Sequence, residues 1–297
     1  MSEMRIGISG WRYEPWRGVF YPKGLQQRRE LEYGSRQMNS IEINGTFYSL
    51  QRPASFKKWH DETPDDFLFS VKGPKYLTHM KKLLDVEQPL ANFFASGVLQ
   101  LGKKLGPILW QFPPWWPYDP DRLKEFLKML PRTSIKASEL AHEHNLTKEN
   151  WIWTETIAKT KIRHAFEPRH PSFFVPDFVE LLRKHNAAIV FADTAGKWPY
   201  FEDLTADFIY CRLHGAKELY ASGYTNEELD RWAARIRKWK MGKQPRDARL
   251  VTKEKFKGGK SRDVYVYFDN DIKVHAPFDA IKLAEKLKIK RRSETAG

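Results

Sequence analysis

Short apolar runs recur along the chain, with polar, helix-like stretches between them. Eight of these runs read as buried strands: 5–11, 40–48, 67–72, 108–112, 162–169, 188–193, 208–214 and 264–269. Runs of this length, bounded by turn residues, suit strands covered on both faces. The stretch 53–62 opens on a proline and carries Phe56 and Trp59. Residues 119–130 set Leu123, Phe126, Leu127 and Leu130 on one helical face after an acidic start, and 177–185 repeat the pattern with Phe178, Leu181 and Leu182. Residues 226–239 open with Asn226 as a cap and two glutamates before Leu229, Trp232, Ala233 and Ile236, and 279–287 close the series. Strands alternating with helices predict a parallel sheet with right-handed crossovers. Eight such units predict the α/β class and a (β/α)8 TIM-like barrel, a single domain over 1–297; an open doubly wound sheet is the alternative.

One stretch breaks the regularity. Residues 240–262 contain Met241-Gly242-Lys243-Gln244-Pro245 and Lys257-Gly258-Gly259-Lys260, and read as a long, mobile loop inserted before the eighth strand. In a barrel this connection runs along the face opposite the chemistry. This loop, the helix before it and the C-terminal stretch together hold most of the net charge of +14. Between Arg231 and Arg262 there are thirteen Lys or Arg against Asp247 and Glu254, and Lys286, Lys288, Lys290, Arg291 and Arg292 add to the excess. The rest of the chain is close to neutral. Segment 231–262 therefore reads either as a contact for nucleic acid or another polyanion, or as a solvated lysine-rich surface.

The remaining composition bounds the class. Hydrophobic residues make up 41% and aromatics 14%, a globular balance. No apolar run approaches the ~18 residues of a membrane span, and 5–9 enter a strand without a signal core, so a cytoplasmic protein is expected. The one cysteine, Cys211, lies in an apolar run and reads as a buried, inert thiol, in keeping with a reducing compartment. Neither GxGxxG nor GxxxxGK[ST] occurs, so no nucleotide cofactor is implied.

In the predicted fold, chemistry gathers at the C-terminal ends of the strands. Those ends carry Trp11 with Tyr13 and Trp16 beyond it, then Glu42, Asn44, Thr46 and Tyr48 at alternate positions of the second strand, which places all four on one face. Lys72 and the nearby His79 follow, then Gln111, then Glu167, Arg169 and His170, then Asp193, Arg212 with His214, and Asp269 with Asn270. Each has a bland explanation, such as Glu42 pairing with Lys72 and Asp193 with Arg212. As a set they make a polar mouth on an apolar barrel, which a ligand explains better, because unpaired buried charge costs several kcal/mol.

The segments GISGWRYEPWRGVFYPKGL, SIEINGTFYSL, FSVKGPKYLTH, GPILWQFPP, FEPRHPSFF, YCRLHG and VYFDND, in this order, resemble the YecE-like family, known as domain of unknown function 72. The resemblance runs from Ile6 to about Leu287 and implies a TIM-like barrel without an established reaction. It implies a pocket of Trp11, Glu42, Asn44, Thr46, Tyr48, Lys72, His79, Gln111, Glu167, Arg169, His170, Asp193, Arg212 and His214. Two positions depart from the family pattern: Asp269 stands where the family has Asn, and Val274 where it has Gly, which stiffens that loop.

Three functions are consistent with these residues. The first is an enzyme acting on a small anionic, phosphorylated or nucleic-acid-derived substrate. Lys72, Arg169 and Arg212 would hold the anion, Glu42 or Glu167 would serve as base, His214 or His79 as acid, and Trp11, Tyr13 and Tyr48 as stacking surfaces. A divalent-metal variant would use Glu42, Glu167, Asp193, His214 and Asp269, against which three cations stand in the same mouth. The second is a glycosidase-like hydrolase built on Glu42 and Glu167. The third is a non-catalytic nucleic-acid-binding protein.

Overall fold

The computed structural model describes residues 2–253, 256 and 261–289. Among them, eight parallel strands hydrogen-bond in chain order as a closed barrel, β1 to β8. The strands are β1 Met4–Ser9, β2 Ser40–Ile43, β3 Leu68–Lys72, β4 Leu105–Gln111, β5 His164–Glu167, β6 Ala188–Asp193, β7 Phe208–Leu213 and β8 Asp263–Phe268. The helices are α1 Glu30–Gln37, α2 Gly45–Tyr48, α3 Pro53–Asp61, α4 Glu87–Ala95, α5 Pro120–Met129, α6 Ser134–His142, α7 Pro176–Lys184, α8 Asn226–Lys240 and α9 His275–Lys286. None of the described helices is long and apolar enough to cross a membrane.

The chain divides into two compact units, one of Met1–Glu42 with Phe174–Gly297, the other of Ile43–Phe173. In the first, β1 pairs with β2 and β8, and β7 with β6 and β8. Register sets Ser9 beside Glu42 and Arg212 beside Tyr267. Its core is aromatic and aliphatic, with Phe191, Trp239, Val266 and Phe268 almost completely buried. Cys211 is buried there, and burial pushes its thiol pKa well up, so it is inert. The opening of α8 differs from the sequence expectation: Thr225, not Asn226, is the cap, with Glu228 closing a capping box.

In the second unit, β3 pairs with β4 and β4 with β5. The outward side of β4 and β5 packs Trp110 against Phe126 and His164. Trp110 Nε1–H donates to His164 Nδ1 at 3.1 Å. That fixes His164 Nε2 as the donor to the Pro131 carbonyl at 2.8 Å, so the imidazole is neutral, and burial lowers its pKa to about 3.

Three expectations need correction. The second strand ends at Ile43, and Gly45–Tyr48 is a helical turn. Asn44 already has helical φ/ψ of −91° and −23°, so Asn44, Thr46 and Tyr48 do not share one strand face with Glu42. The alternation of Thr, Phe and Tyr imitates a strand, but Asn44-Gly45 breaks it. No helix links β6 to β7: the connection 194–207 is irregular and is held by buried polar groups. The stretch from 240 is not loose in its described part. Gln244 Nε2 donates to the Glu202 carbonyl, Glu202 N to the Arg249 carbonyl, and the Val251 and Thr252 amides to Asp203, all at 2.8–3.0 Å. Lys257-Gly258-Gly259-Lys260, together with Glu254, Lys255 and residues 290–297, lies outside the described residues.

Val274 precedes α9 in the left-handed region, with φ 59° and ψ 26°. A β-branched residue there carries a steric cost of roughly 1–2 kcal/mol, partly offset by the backbone entropy that glycine would lose. Val274→Gly is therefore expected to raise stability by up to about 1 kcal/mol in denaturant titration. A loss of stability would show that the side chain contributes packing that outweighs the strain.

Candidate functional site

The side chains at the strand ends form two groups, one in each unit. In the first unit the centre is Glu42, which is fully buried, as is Arg212. Glu42 accepts hydrogen bonds from Ser9 Oγ at 2.8 Å and from the Tyr210 hydroxyl. Arg212 adds Nη2 at 2.8 Å and Nε at 3.2 Å, and its Nη2 also reaches Asp269 Oδ2 at 2.9 Å. His214 Nδ1 lies 3.0 Å from the same Asp269 oxygen, and its ring meets those of Tyr220 and Trp198 edge-on. Glu42 thus pairs with Arg212. The desolvation cost of burying such a pair is offset by these several hydrogen bonds.

Asp271, which sequence reasoning did not single out, joins this group. Burial and the neighbouring Asp269 charge raise its pKa well above the carboxylate range, and Tyr13 lies against it. A like charge beside a buried carboxyl disfavours its ionisation. The Tyr13 hydroxyl donates to the Ser9 carbonyl at 2.6 Å, and burial with the nearby Asp271 and Asp269 charges raises its pKa. The visible signal was the i, i+2 spacing of acids in Asp269-Asn270-Asp271.

Other predicted residues of this unit sit elsewhere. Asp193 accepts a hydrogen bond from the Tyr224 hydroxyl at 3.1 Å, and burial raises its pKa. It lines a 570 Å³ groove with Tyr224 and Trp232, beside α8, while its backbone carbonyl accepts from the His214 amide at 2.9 Å. Asn270 braces the loop, its Nδ2 donating to Asp279 at 2.9 Å and to the Ser222 carbonyl at 3.0 Å. Trp11 is buried, and its carbonyl accepts from Tyr21.

The second unit gathers Thr46, Lys72, His79, Gln111, Glu167 and Arg169. Register places Gln111 beside Glu167, and Gln111 Nε2 donates to Glu167 Oε1 at 3.0 Å. Arg169 forks onto the same oxygen through Nε and Nη2, both at 2.9 Å. Lys72 is 8% exposed and holds its ammonium 4.2 Å from the centroid of the Phe47 ring, while its carbonyl accepts from Thr46 Oγ1 at 2.6 Å. His79 stands in a π-helical turn, Tyr76–Met80, edge-on to Phe47, with Nδ1 2.9 Å from Thr78 Oγ1. Burial, then the charges of Lys72 and Arg169, lower its pKa to about 4; Glu167 offsets them only in part. His79 is therefore neutral at pH 7, and as an unprotonated ring it is a proton acceptor rather than the acid expected from sequence.

Asn44 follows β2 with its Oδ1 buried and without a described partner. Tyr48 projects outward at 68% exposure, and His170 Nδ1 is occupied by Ser172 Oγ at 2.8 Å. Among the described residues no group of three or more His, Cys, Asp or Glu is arranged to hold a metal ion.

Comparison with known proteins gives a consistent picture. A family model described as protein of unknown function DUF72 matches residues 5–296. UPF0759 protein YecE of Escherichia coli K12 is 25% identical over 245 residues, covering 81% of this chain and 83% of that protein. UPF0759 protein YunF of Bacillus subtilis is 29% identical over 116 residues, 37% of this chain and 40% of YunF. A crystal structure of a DUF72 family protein from Thermotoga maritima superposes with a TM-score of 0.70 at 24% identity, covering 96% of this chain and 99% of that one. A DUF72 family protein of Enterococcus faecalis superposes at 0.69 with 14% identity, covering 97% and 96%. At these identities the superpositions establish the fold.

Proposed function

This chain belongs to the DUF72 family, and we propose that it is an enzyme that binds an anionic, phosphate-type group through Lys72 and Arg169 and moves a proton with His79. One observation carries the reading: two cations and a neutral imidazole converge at the ends of β3 and β5, in an environment whose potential at the ring is positive. A guanidinium and an ammonium together provide directional and point-charge contacts for such a group. Glu167 and Gln111 act as positioning residues, because the Glu167 carboxylate holds the Arg169 fork in place. Nδ1 is engaged by Thr78 Oγ1 at 2.9 Å, which makes Nε2 the ring nitrogen that exchanges the proton in this reading.

The carboxylates Glu42 and Glu167 are each engaged by an arginine, which supports anion recognition over a glycosidase in which one of them must be protonated. A cytoplasmic setting belongs to the same proposal, in keeping with the single buried thiol.

Sulfate tests the binding claim, since it stays a dianion across the acidic range. Bound sulfate cancels the positive potential on His79 and raises its pKa, so the bound state takes up protons that the free state does not. Affinity measured by calorimetry is expected to rise as pH falls from 6.5 towards 4, by up to about tenfold per unit that the pKa moves. In His79→Gln that component should vanish. No sulfate binding, or an identical pH profile in the two proteins, contradicts the reading.

A further inference from the structure

The anion site is bordered by aromatic rings that the fold leaves in solvent. Tyr48 is 68% exposed, Trp115 56% and Tyr76 46%. Isolated exposed rings are ordinary, but these connect: Tyr48 contacts Phe47 at 5.2 Å between centroids, Phe47 contacts His79 at 5.1 Å, and His79 contacts Trp115 at 6.3 Å. The line of rings therefore passes through the imidazole of the site. Each exposed end also carries an ammonium: Lys75 Nζ is 5.2 Å from the Tyr48 centroid and Lys82 Nζ is 5.2 Å from that of Trp115. Tyr48 and Tyr76 also line a cavity of 470 Å³, together with Phe47, Pro74, Leu77 and Asn145.

Aromatic faces interleaved with lysines suit a ligand that is itself part ring and part anion. A lysine occupies only one face of each ring, so a planar group stacks on the other while the ammonium remains close to the ligand's charge. Sugar or inorganic phosphates would use the charges and leave the rings idle. We propose that the ligand of this site carries a planar ring beside its anionic group, as a nucleotide does either free or within a strand, and that Tyr48 and Trp115 are the stacking platforms. The proposal rests on the reading of Lys72 and Arg169 as the anion site and adds the substrate class.

Calorimetry with four probes tests it: inorganic phosphate, ribose 5-phosphate, adenosine 5′-monophosphate and a dinucleotide. The monophosphate nucleotide is expected to bind about tenfold or more tightly than ribose 5-phosphate, in line with stacking of one base. Tyr48→Ala with Trp115→Ala should erase that preference and leave ribose 5-phosphate affinity as it was; both rings are more than half exposed, so the fold does not depend on them. A further tenfold gain with the dinucleotide assigns the ring to a strand, and equal affinity assigns it to a free nucleotide; both outcomes support the ring subsite. Phosphate binding with no preference for the nucleotide over ribose 5-phosphate overturns the ring subsite alone, as does a preference that survives both alanines. Failure of all four probes overturns the anion site itself.

Discussion

Arg212→Met is expected to destabilise the protein by about 3–5 kcal/mol in denaturant titration, the usual cost of removing one partner of a buried ion pair. The side chain is fully buried and supplies three of the contacts to Glu42 and one to Asp269. Without it, Glu42 keeps only the Ser9 and Tyr210 hydroxyls, and an anion stays in a site that offers little water. The penalty comes from the stranded carboxylate, more than from the lost attraction. Glu42→Gln in the Arg212→Met background should therefore recover part of the loss by removing that charge. A loss below about 1 kcal/mol in the single variant would mean that Glu42 takes up a proton or finds solvent easily, so that the pair contributes little.

Lys72→Met and His79→Gln are expected to separate binding from turnover. Lys72 supplies charge, and a hydrogen bond to a charged group is worth about 1.5–3 kcal/mol, so its loss should weaken sulfate binding about tenfold to a hundredfold. Methionine keeps an unbranched apolar chain beside Phe47 and removes only the ammonium that faces the ring. His79→Gln should leave sulfate affinity at pH 7 close to that of the parent, because the ring is neutral there. Turnover of phosphate mono- or diesters, followed by phosphorus NMR, should fall by about 10²–10⁴ in this variant, the range for loss of a general base. Equal losses of affinity in both variants would contradict the division of roles.

Much of the architecture was legible in the order of residues. The β6 range was read without error, and the helix at 120–129 followed from its apolar stripe and acidic start, with Asp119 found as its cap. Pattern works there because β6 is a continuous apolar run buried on both faces and the helix buries one stripe along its length. It failed at 44–48, where β-forming side chains sit on a helical turn, and it passed over α1, α4 and α6. The candidate residues themselves were visible as polar groups at strand ends, but their partners were not. Which carboxylate meets Arg212 depends on the approach of β2 side chains to those of β7, which no local pattern encodes. Asp193 and Arg212 show the same limit: both lie near strand ends, yet Asp193 turns to Tyr224 beside α8. The neutrality of His79 was likewise hidden, because it arises from burial and from two cations distant in sequence.

The central claim is that the ends of β3 and β5 form an anion site in which burial, with the charges of Lys72 and Arg169, holds His79 neutral. Titration of the imidazole by NMR, with His79→Gln identifying its signals among the nine histidines, reads the combined effect, and the shift on adding sulfate reads the part due to the cations. The account predicts a pKa of about 4 in the free protein and a clear rise towards 6.5 with saturating sulfate. A value near 6.5 without sulfate, or one that sulfate leaves in place, would contradict it.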